Sequence, residues 1–427
     1  MVVQFKHINN NTEIMENPKL ALIPSGYKSG KVYSILPTDG VGDFDFSRGS
    51  TSTRVDRDGL IETVTNNVPR LDWLNSDCPS LLLEPQRTNK ILQSENWGTS
   101  WSFFNGASVS VNQIISPDGT MTADKIISNG SNFSFTKPSS NPVISTGNTT
   151  FSLFVKADNR ATGWLRLDYG TTIYNRKFDL TTQTFSSGFD NTGNIPNSEQ
   201  IIDYGNGWYR LIITDSADTT SFEPRIYVTG NTGSSANDSL FIWGAQVEQG
   251  SYPTSYIKTT GIEETRLKDF IDGAGSSSLF NSLESTFFVE MASFLNAQTN
   301  SNGIELAGIG SQNRITLQYD TTNNQIRCDV RVLNSAQAII TTSSFDITNF
   351  NKMAITYKLN EVKFYVNGQL ISTDTSVNTF APNTLTEVRS TIADISGGAF
   401  NLQAKIKDLR VYNRVLTEAE SIELTTI

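Results

Sequence analysis

Short runs in which apolar and polar residues alternate, each closed by Asn, Gly, Asp or Ser, dominate this chain from residue 151 onward. "FSLFVKA" (151–157), "GWLRLDYG" (163–170), "TIYNRKFDL" (172–180), "GWYRLIITD" (207–215), "PRIYVTG" (224–230) and "SLFIWGAQVE" (239–248) all follow this pattern. A period of two places successive side chains on opposite faces of a strand and does not build one face of a helix. Several such runs at nearly even spacing predict a β-sandwich of jelly-roll type. Hydrophobic residues make up 37% of the chain, below the ~45–50% usual for globular chains, a benchmark that also counts glycine. The 24 Phe, 13 Tyr and 6 Trp still supply enough apolar bulk for packed cores and argue against disorder.

A second block of the same kind runs through residues 262–427, in "STFFVEMASF" (285–294), "NRITLQYD" (313–320), "QIRCDVRVL" (325–333), "KMAITYKLNEVKFYVNGQLIST" (352–373) and "AKIKDLRVYNRVLT" (404–417). Asn367-Gly368 marks a hairpin turn, because both residues of a type I′ turn need positive φ. The tail "LTEAESIEL" turns to helical spacing, with Thr417 as its N-cap. At 427 residues the chain exceeds one core. The expected class is all-β, divided as an N-terminal attachment arm (1–40), a β-hairpin adapter (41–87), a first sandwich (88–260) and a second (261–427). The polar, Gly- and Pro-punctuated arm is expected to order against something else.

The adapter holds the densest charge in the chain: "FDFSRGSTSTRVDRDGLIETV" (44–64) sets Arg48, Arg54 and Arg57 beside Asp43, Asp45, Asp56 and Asp58. Asp58-Gly59 again signals a hairpin. The charges flank that turn and alternate with Thr and Val, which predicts side chains on a solvated hairpin face. A structural role is expected, with the arginines neutralising neighbouring aspartates.

Several function classes drop out on composition. The net charge is −10, from 33 basic and 43 acidic residues with no Lys/Arg run, so a phosphate-binding face for nucleic acid is not expected. His7 is the only histidine, so a Ser–His–Asp triad or a His-ligated zinc would have to rest on it. Cys78 and Cys328 stand 250 positions apart without metal spacing, and no disulfide between them is expected. "MVVQFKHINN" lacks the apolar core of a signal peptide, and no run approaches the ~20 apolar residues of a membrane helix. The chain is expected to be made in the cytoplasm, with no membrane insertion.

Carboxylates are the remaining catalytic chemistry. Glu284, Glu290, Glu305, Asp320 and Asp329 lie in the last domain without a spaced glycosidase motif, so no enzyme is expected. A structural calcium fits both sandwich types, but the many loop oxygens single out no ligand set. For binding, alternation in "GWLRLDYG" puts Leu165, Leu167 and Tyr169 toward the core and Trp164, Arg166 and Asp168 outward. An aromatic plate beside charged hydrogen-bonding groups suits a sugar ring. Tyr174 and Arg176 share a face of the next run and are expected to pair with that set across the hairpin. Packing of Trp164 beneath a loop and a subunit interface are the alternatives. Trp97, Trp101, Trp208 and Trp243 are expected to be structural.

"FSRGSTSTRVDRDGLIETVTNNVPRLDW" with "CPSLLLEPQRTN" resembles a segment near the start of bacteriophage tail-fibre and other appendage proteins. "YGNGWYRLIIT" and "IWGAQVEQGSYPTSYIKTTG" resemble hallmarks of the sandwich that follows it there, a carbohydrate-binding-like jelly roll. "KMAITYKLNEVKFYVNGQLIS" and "KIKDLRVYNRVLTEAE" resemble concanavalin A-like, laminin-G-like domains. The resemblance, over roughly residues 40–427, implies a virion protein of tail or head. It would dock to other virion proteins through its N-terminal arm, assemble as a homo-oligomer, most often a trimer, and touch host-surface polysaccharide. A purely structural decoration protein is the alternative, and a glycan depolymerase a further one.

Overall fold

The alternating runs form strands, and the fold is all-β. A computed structural model describes residues 17–170, 172–189, 194–217, 220, 222–298, 302–393 and 399–427. His7 lies outside these residues. The first sandwich has two six-stranded antiparallel sheets. One runs Trp101–Phe104, Phe135–Pro138, Glu223–Tyr227, Thr162–Asp168, Ile173–Asp179, Thr184–Ser187. The other runs Ala107–Ile114, Ala123–Asn129, Ala236–Gln249, Gly147–Ala157, Trp208–Ala217, Ser198–Asp203. Phe151 lies opposite Ile213 and Val247, and all three point into a core shared with Leu165, Leu167 and Ile226.

Residues 20–83 do not form an arm and adapter standing apart from the second sandwich. Leu20–Leu22 pairs with Leu409, Arg410 and Val411, and Ser80–Leu83 pairs with Ala404, Lys405 and Ile406 of the same strand. Both extend the large sheet that holds Gln369–Asp374, Glu361–Val366, Asn351–Lys358, Ser285–Ser293 and Ala404–Tyr412. Leu20, Leu22, Val32, Phe44, Phe46, Leu71, Leu81 and Leu83 are buried in one core with Ile304, Leu317, Ile355 and Leu409. The second sandwich is therefore discontinuous, and the first is inserted into it. Chain leaves and returns through a two-stranded neck, Arg87–Asn89 against Glu264–Arg266. The inserted sandwich lies between these two neck strands.

The hairpin Ser52–Val55/Ile61–Val64 forms as expected, with Gly59 at φ 81°. It lies on the outer face of the inserted sandwich, where Val55 and Ile61 pack with Phe154, Trp208, Trp243 and Tyr256. Trp243 reaches that face because the strand carries a bulge at Gly244, whose φ is 62°. Ile242 and Ala245 point inward on either side of it. The indole N–H of Trp208 donates to the Ile115 carbonyl and that of Trp243 to the Thr122 hydroxyl. Trp97 and Trp101 stack in the core at 3.6 Å. The structural reading of these four tryptophans holds.

Arg48 corrects the expectation of a solvated charged face. Its side chain is fully buried, and its ion-pair partner is Asp269, 3.0 Å away and far along the chain, not a neighbouring aspartate. Arg70 pairs with Glu84 at 2.5 Å and with Asp269, and Arg266 pairs with Glu84. Ser255 donates to Glu84 through its backbone N–H and hydroxyl. Three arginines and two carboxylates thus join the N-terminal segment, the neck and the exit of the inserted sandwich. Among the described residues, the ion pairs this stretch makes close in sequence or across a local turn are Arg54 with Glu62 and Asp45 with Lys31, while Asp56 accepts from the Asp58 and Leu60 backbone N–H groups within its own turn.

Asp272 marks the opposite case. It ends the strand Phe270–Asp272, opposite Asp45, and its Oδ1 is buried without a hydrogen bond. Burial, with Glu387 nearby, pushes its carboxyl up to about 6. The folded state holds this proton to higher pH than the unfolded chain, whose aspartates titrate near ~4. Stability therefore falls as pH rises from about 4 to 6. Asp272→Asn is expected to raise stability at pH 7 by about 1 to 2 kcal/mol, with the gain vanishing near pH 4. Urea titrations of both forms across that range check it.

Candidate functional site

The outer face of the sheet that carries Thr162–Asp168 is built in transverse rows. Phe104, Phe135, Tyr227, Trp164 and Lys177 lie opposite one another across five strands. Phe104 stacks on Phe135 at 4.8 Å and 12°, and Phe135 meets Tyr227 at 4.8 Å. Phe189 closes the row, 5.1 Å from Tyr227 and 5.9 Å from Trp164.

The next rows are charged. Arg225 stands opposite Arg166, and Glu223 opposite Asp168. Like charges paired across a sheet repel, and here carboxylates intervene. Asp168 bridges Arg166 at 2.9 Å and Arg225 at 3.3 Å, while Glu223 takes Arg225 at 2.5 Å and Lys137. Burial works against the charged form of Glu223, but hydrogen bonds from Lys137 and Arg225 outweigh it and hold its carboxyl low. Arg225 also donates to the Tyr227 hydroxyl at 3.3 Å and lies over the Phe135 ring at 5.2 Å. The result is a fixed lattice of donors and acceptors beside an aromatic strip, with three cations to two carboxylates.

The structure brings together only part of the set expected from sequence. Leu165 and Leu167 do face the core, and Trp164, Arg166 and Asp168 share the outer face. Tyr174 and Arg176 are on the other side. They pair with Leu167 and Leu165, and residues directly opposite share a face. Tyr174 packs edge-on against Tyr169 at 6.1 Å. Arg176 crosses the sandwich to Glu199 of the opposing sheet in a bidentate pair of 2.7 and 2.8 Å. Hairpin register decides this, because a slip of one residue exchanges the faces of a whole strand.

Trp164 is not an open plate either. It is 7% exposed, with Gly230 so close that a Cβ there would stand 2.7 Å from the ring, and with the Lys177 amine 5.8 Å over its centre. The open end of the row is Phe104, 38% exposed. Phe104, Phe135, Tyr227, Lys137, Arg225 and Glu223 went unread in the sequence. The run "PRIYVTG" was legible as a strand, but nothing local shows that it lies beside Thr162–Asp168.

Residues 287–420 match the family model of the concanavalin A-like lectin/glucanases superfamily. The second sandwich carries a concanavalin A-like domain. Among solved structures, the chain is similar to the Ruminococcus gnavus IT-sialidase CBM40 bound to α2,3-sialyllactose, at 18% identity and TM-score 0.29, covering 34% of this chain and 83% of that one. It is also similar to the native heptameric SAP-like pentraxin of Limulus polyphemus, at 14% identity and TM-score 0.29, covering 34% and 71%. The NanB sialidase of Streptococcus pneumoniae aligns at 15% identity and TM-score 0.28, over 36% of this chain and 26% of that one. No curated protein sequence matches the chain.

Of the five acidic residues singled out in the last domain, Glu305, Asp320 and Asp329 are tied to arginines, while Glu290 stands opposite Asp408 across two strands. Glu305 is fully buried against Arg314 at 3.6 Å and Arg389 at 3.0 Å, and Asp329 is held by Arg327 at 2.7 Å and Arg331 at 3.1 Å. Asp320 pairs with Arg327 at 3.2 Å. Among the described residues no group of three or more His, Cys, Asp or Glu converges as metal ligands would, and no helix is long and apolar enough to cross a membrane. Cys78 and Cys328 are both free thiols.

Proposed function

We propose that this protein is a virion appendage component, a tail or head fibre, that contacts host-surface glycan through the outer face of its inserted sandwich. The observation that carries the glycan half is the aromatic row ending at exposed Phe104 beside the Lys137–Glu223–Arg225–Asp168–Arg166 lattice. C–H-rich sugar faces pack on aromatic rings, while hydroxyls need donors and acceptors already held in place. The virion half is supported by residues 46–73 and 78–89 and their resemblance to phage appendage proteins. Homo-oligomeric display would raise a weak affinity per site through avidity. Because Tyr227 and Trp164 are largely covered, a protein contact through the same strip is the competing reading. It belongs to a structural decoration protein.

Binding of the intact protein to polysaccharide extracted from host cells separates the two. Saturable binding is expected, reduced about tenfold by Phe104→Ala and by Arg225→Gln, each truncation removing ~1–2 kcal/mol of contact. Folded variants that bind like the parent, or a folded parent that binds no host polysaccharide, would favour the decoration reading.

A further inference from the structure

The neck between the sandwiches borders a cavity of about 570 Å³, inside the ~300–1,000 Å³ range of small-molecule sites. Gln249 and Tyr252 of the inserted sandwich and Asn302 and Gln403 of the concanavalin A-like domain line it, with Arg87 and Lys268 of the neck. Arg87 is held in one position. Its guanidinium lies over the Tyr252 ring at 5.3 Å and so close to Gly250 that a Cβ there would stand 2.8 Å from it.

Yet among the described residues Arg87 has no carboxylate partner. Its one hydrogen bond there goes to the Gln86 carbonyl at 3.0 Å, and its Nε is buried without a partner. Glu84 and Asp269 also line the cavity, but Arg48, Arg70 and Arg266 already engage them. Lys268 is exposed and has no ion pair among the described residues. The uncommitted charge at this cavity is therefore positive, in a chain whose net charge is −10. A cation fixed in a partly buried place without a counter-ion is costly unless something negative completes it. One lining amide is open to a hydroxyl: Gln403 accepts from the Tyr252 hydroxyl through Oε1 at 3.1 Å, and its amide nitrogen makes no hydrogen bond among the described residues, whereas the Gln249 and Asn302 amides are held by internal hydrogen bonds.

We infer that this interdomain cavity is a second binding site, for an anionic saccharide unit whose acidic group is taken by Arg87 and Lys268 and one of whose hydroxyls meets the Gln403 amide. It is separate from the outer sheet face and stands or falls independently of it. Calorimetric titration of the intact protein with tri-galacturonate, maltotriose and inorganic phosphate tests it. The expected result is saturable binding of tri-galacturonate, weakened about tenfold or more by Arg87→Gln and several-fold by Lys268→Gln. Phe104→Ala should leave that binding unchanged, and maltotriose should not bind.

Lys268 is exposed, so Lys268→Gln decides the matter even if Arg87→Gln fails to fold. Tri-galacturonate that does not bind, or that binds equally well to both variants, would overturn the site. Phosphate binding as tightly as the uronate would overturn its saccharide character, leaving a simple anion site.

Discussion

Residues 262–427, expressed alone, will not fold, although they contain the whole stretch that matches the concanavalin A-like family model. The fragment lacks Leu20, Leu22, Val32, Phe44, Phe46, Leu71, Leu81 and Leu83, all buried in the core of that domain. Each such side chain contributes roughly 1.5–3 kcal/mol on burial, so their joint loss is on the order of 10–20 kcal/mol. That exceeds the roughly 5–15 kcal/mol by which a domain is stable at all. The strand Ala404–Tyr412 would also expose the edge now covered by Leu20–Leu22 and Ser80–Leu83, and an open edge invites aggregation. Residues 90–261, by contrast, enclose their own core and are expected to melt cooperatively. Circular dichroism and hydrogen exchange of the two fragments check both statements. A cooperatively folded 262–427 fragment would refute the discontinuous domain.

Arg70→Met gives the largest expected loss from one substitution. It leaves Glu84 and Asp269 buried with fewer cations, and removing one partner from such a group costs about 3–5 kcal/mol. The Glu84 carboxyl registers the same pairing in its titration. Burial disfavours its charge, but Arg266 and Arg70 outweigh that and hold it far below the usual carboxylate range. Its folded pKa lies below the unfolded one, so its stabilisation is fully present above about pH 4.5 and is lost as pH falls below that. Glu84→Gln should therefore flatten the acid limb of the stability profile as well as lower the plateau. Because the cluster ties the N-terminal segment to the neck, loosening should appear first as faster exchange at Arg87–Asn89 and Glu264–Arg266. Unfolding free energies of both variants between pH 3 and 8 measure this. An Arg70→Met protein within about 1 kcal/mol of the parent would mean the pairs are not formed as described.

What the sequence made legible follows from which interactions are local. Alternation, the turns at Asp58-Gly59 and Asn367-Gly368, and the N-cap at Thr417 are set by neighbouring residues. The structure has all of them, including positive φ at Asn367 and Gly368 and the Thr417–Glu420 capping box. Partners distant along the chain left no such trace. Arg48 looks like one more charge of a polar hairpin until Asp269 is placed beside it. Leu20–Leu22 is three residues in a polar leader until Ala404–Tyr412 supplies its hydrogen bonds. The candidate site divides in the same way: period two put Trp164, Arg166 and Asp168 on one face. The register of Thr162–Asp168 against Ile173–Asp179 turned Tyr174 and Arg176 inward. Phe104, Phe135 and Arg225 reach the site only through strand order.

Hydrogen exchange of the intact protein, with and without saturating host polysaccharide, tests the proposed contact most directly. Slowed exchange is expected along Trp101–Phe104, Phe135–Pro138 and Glu223–Tyr227, the strands that present Phe104, Lys137 and Arg225. Polysaccharide that binds while leaving these strands unchanged would contradict the outer face as the site of glycan contact.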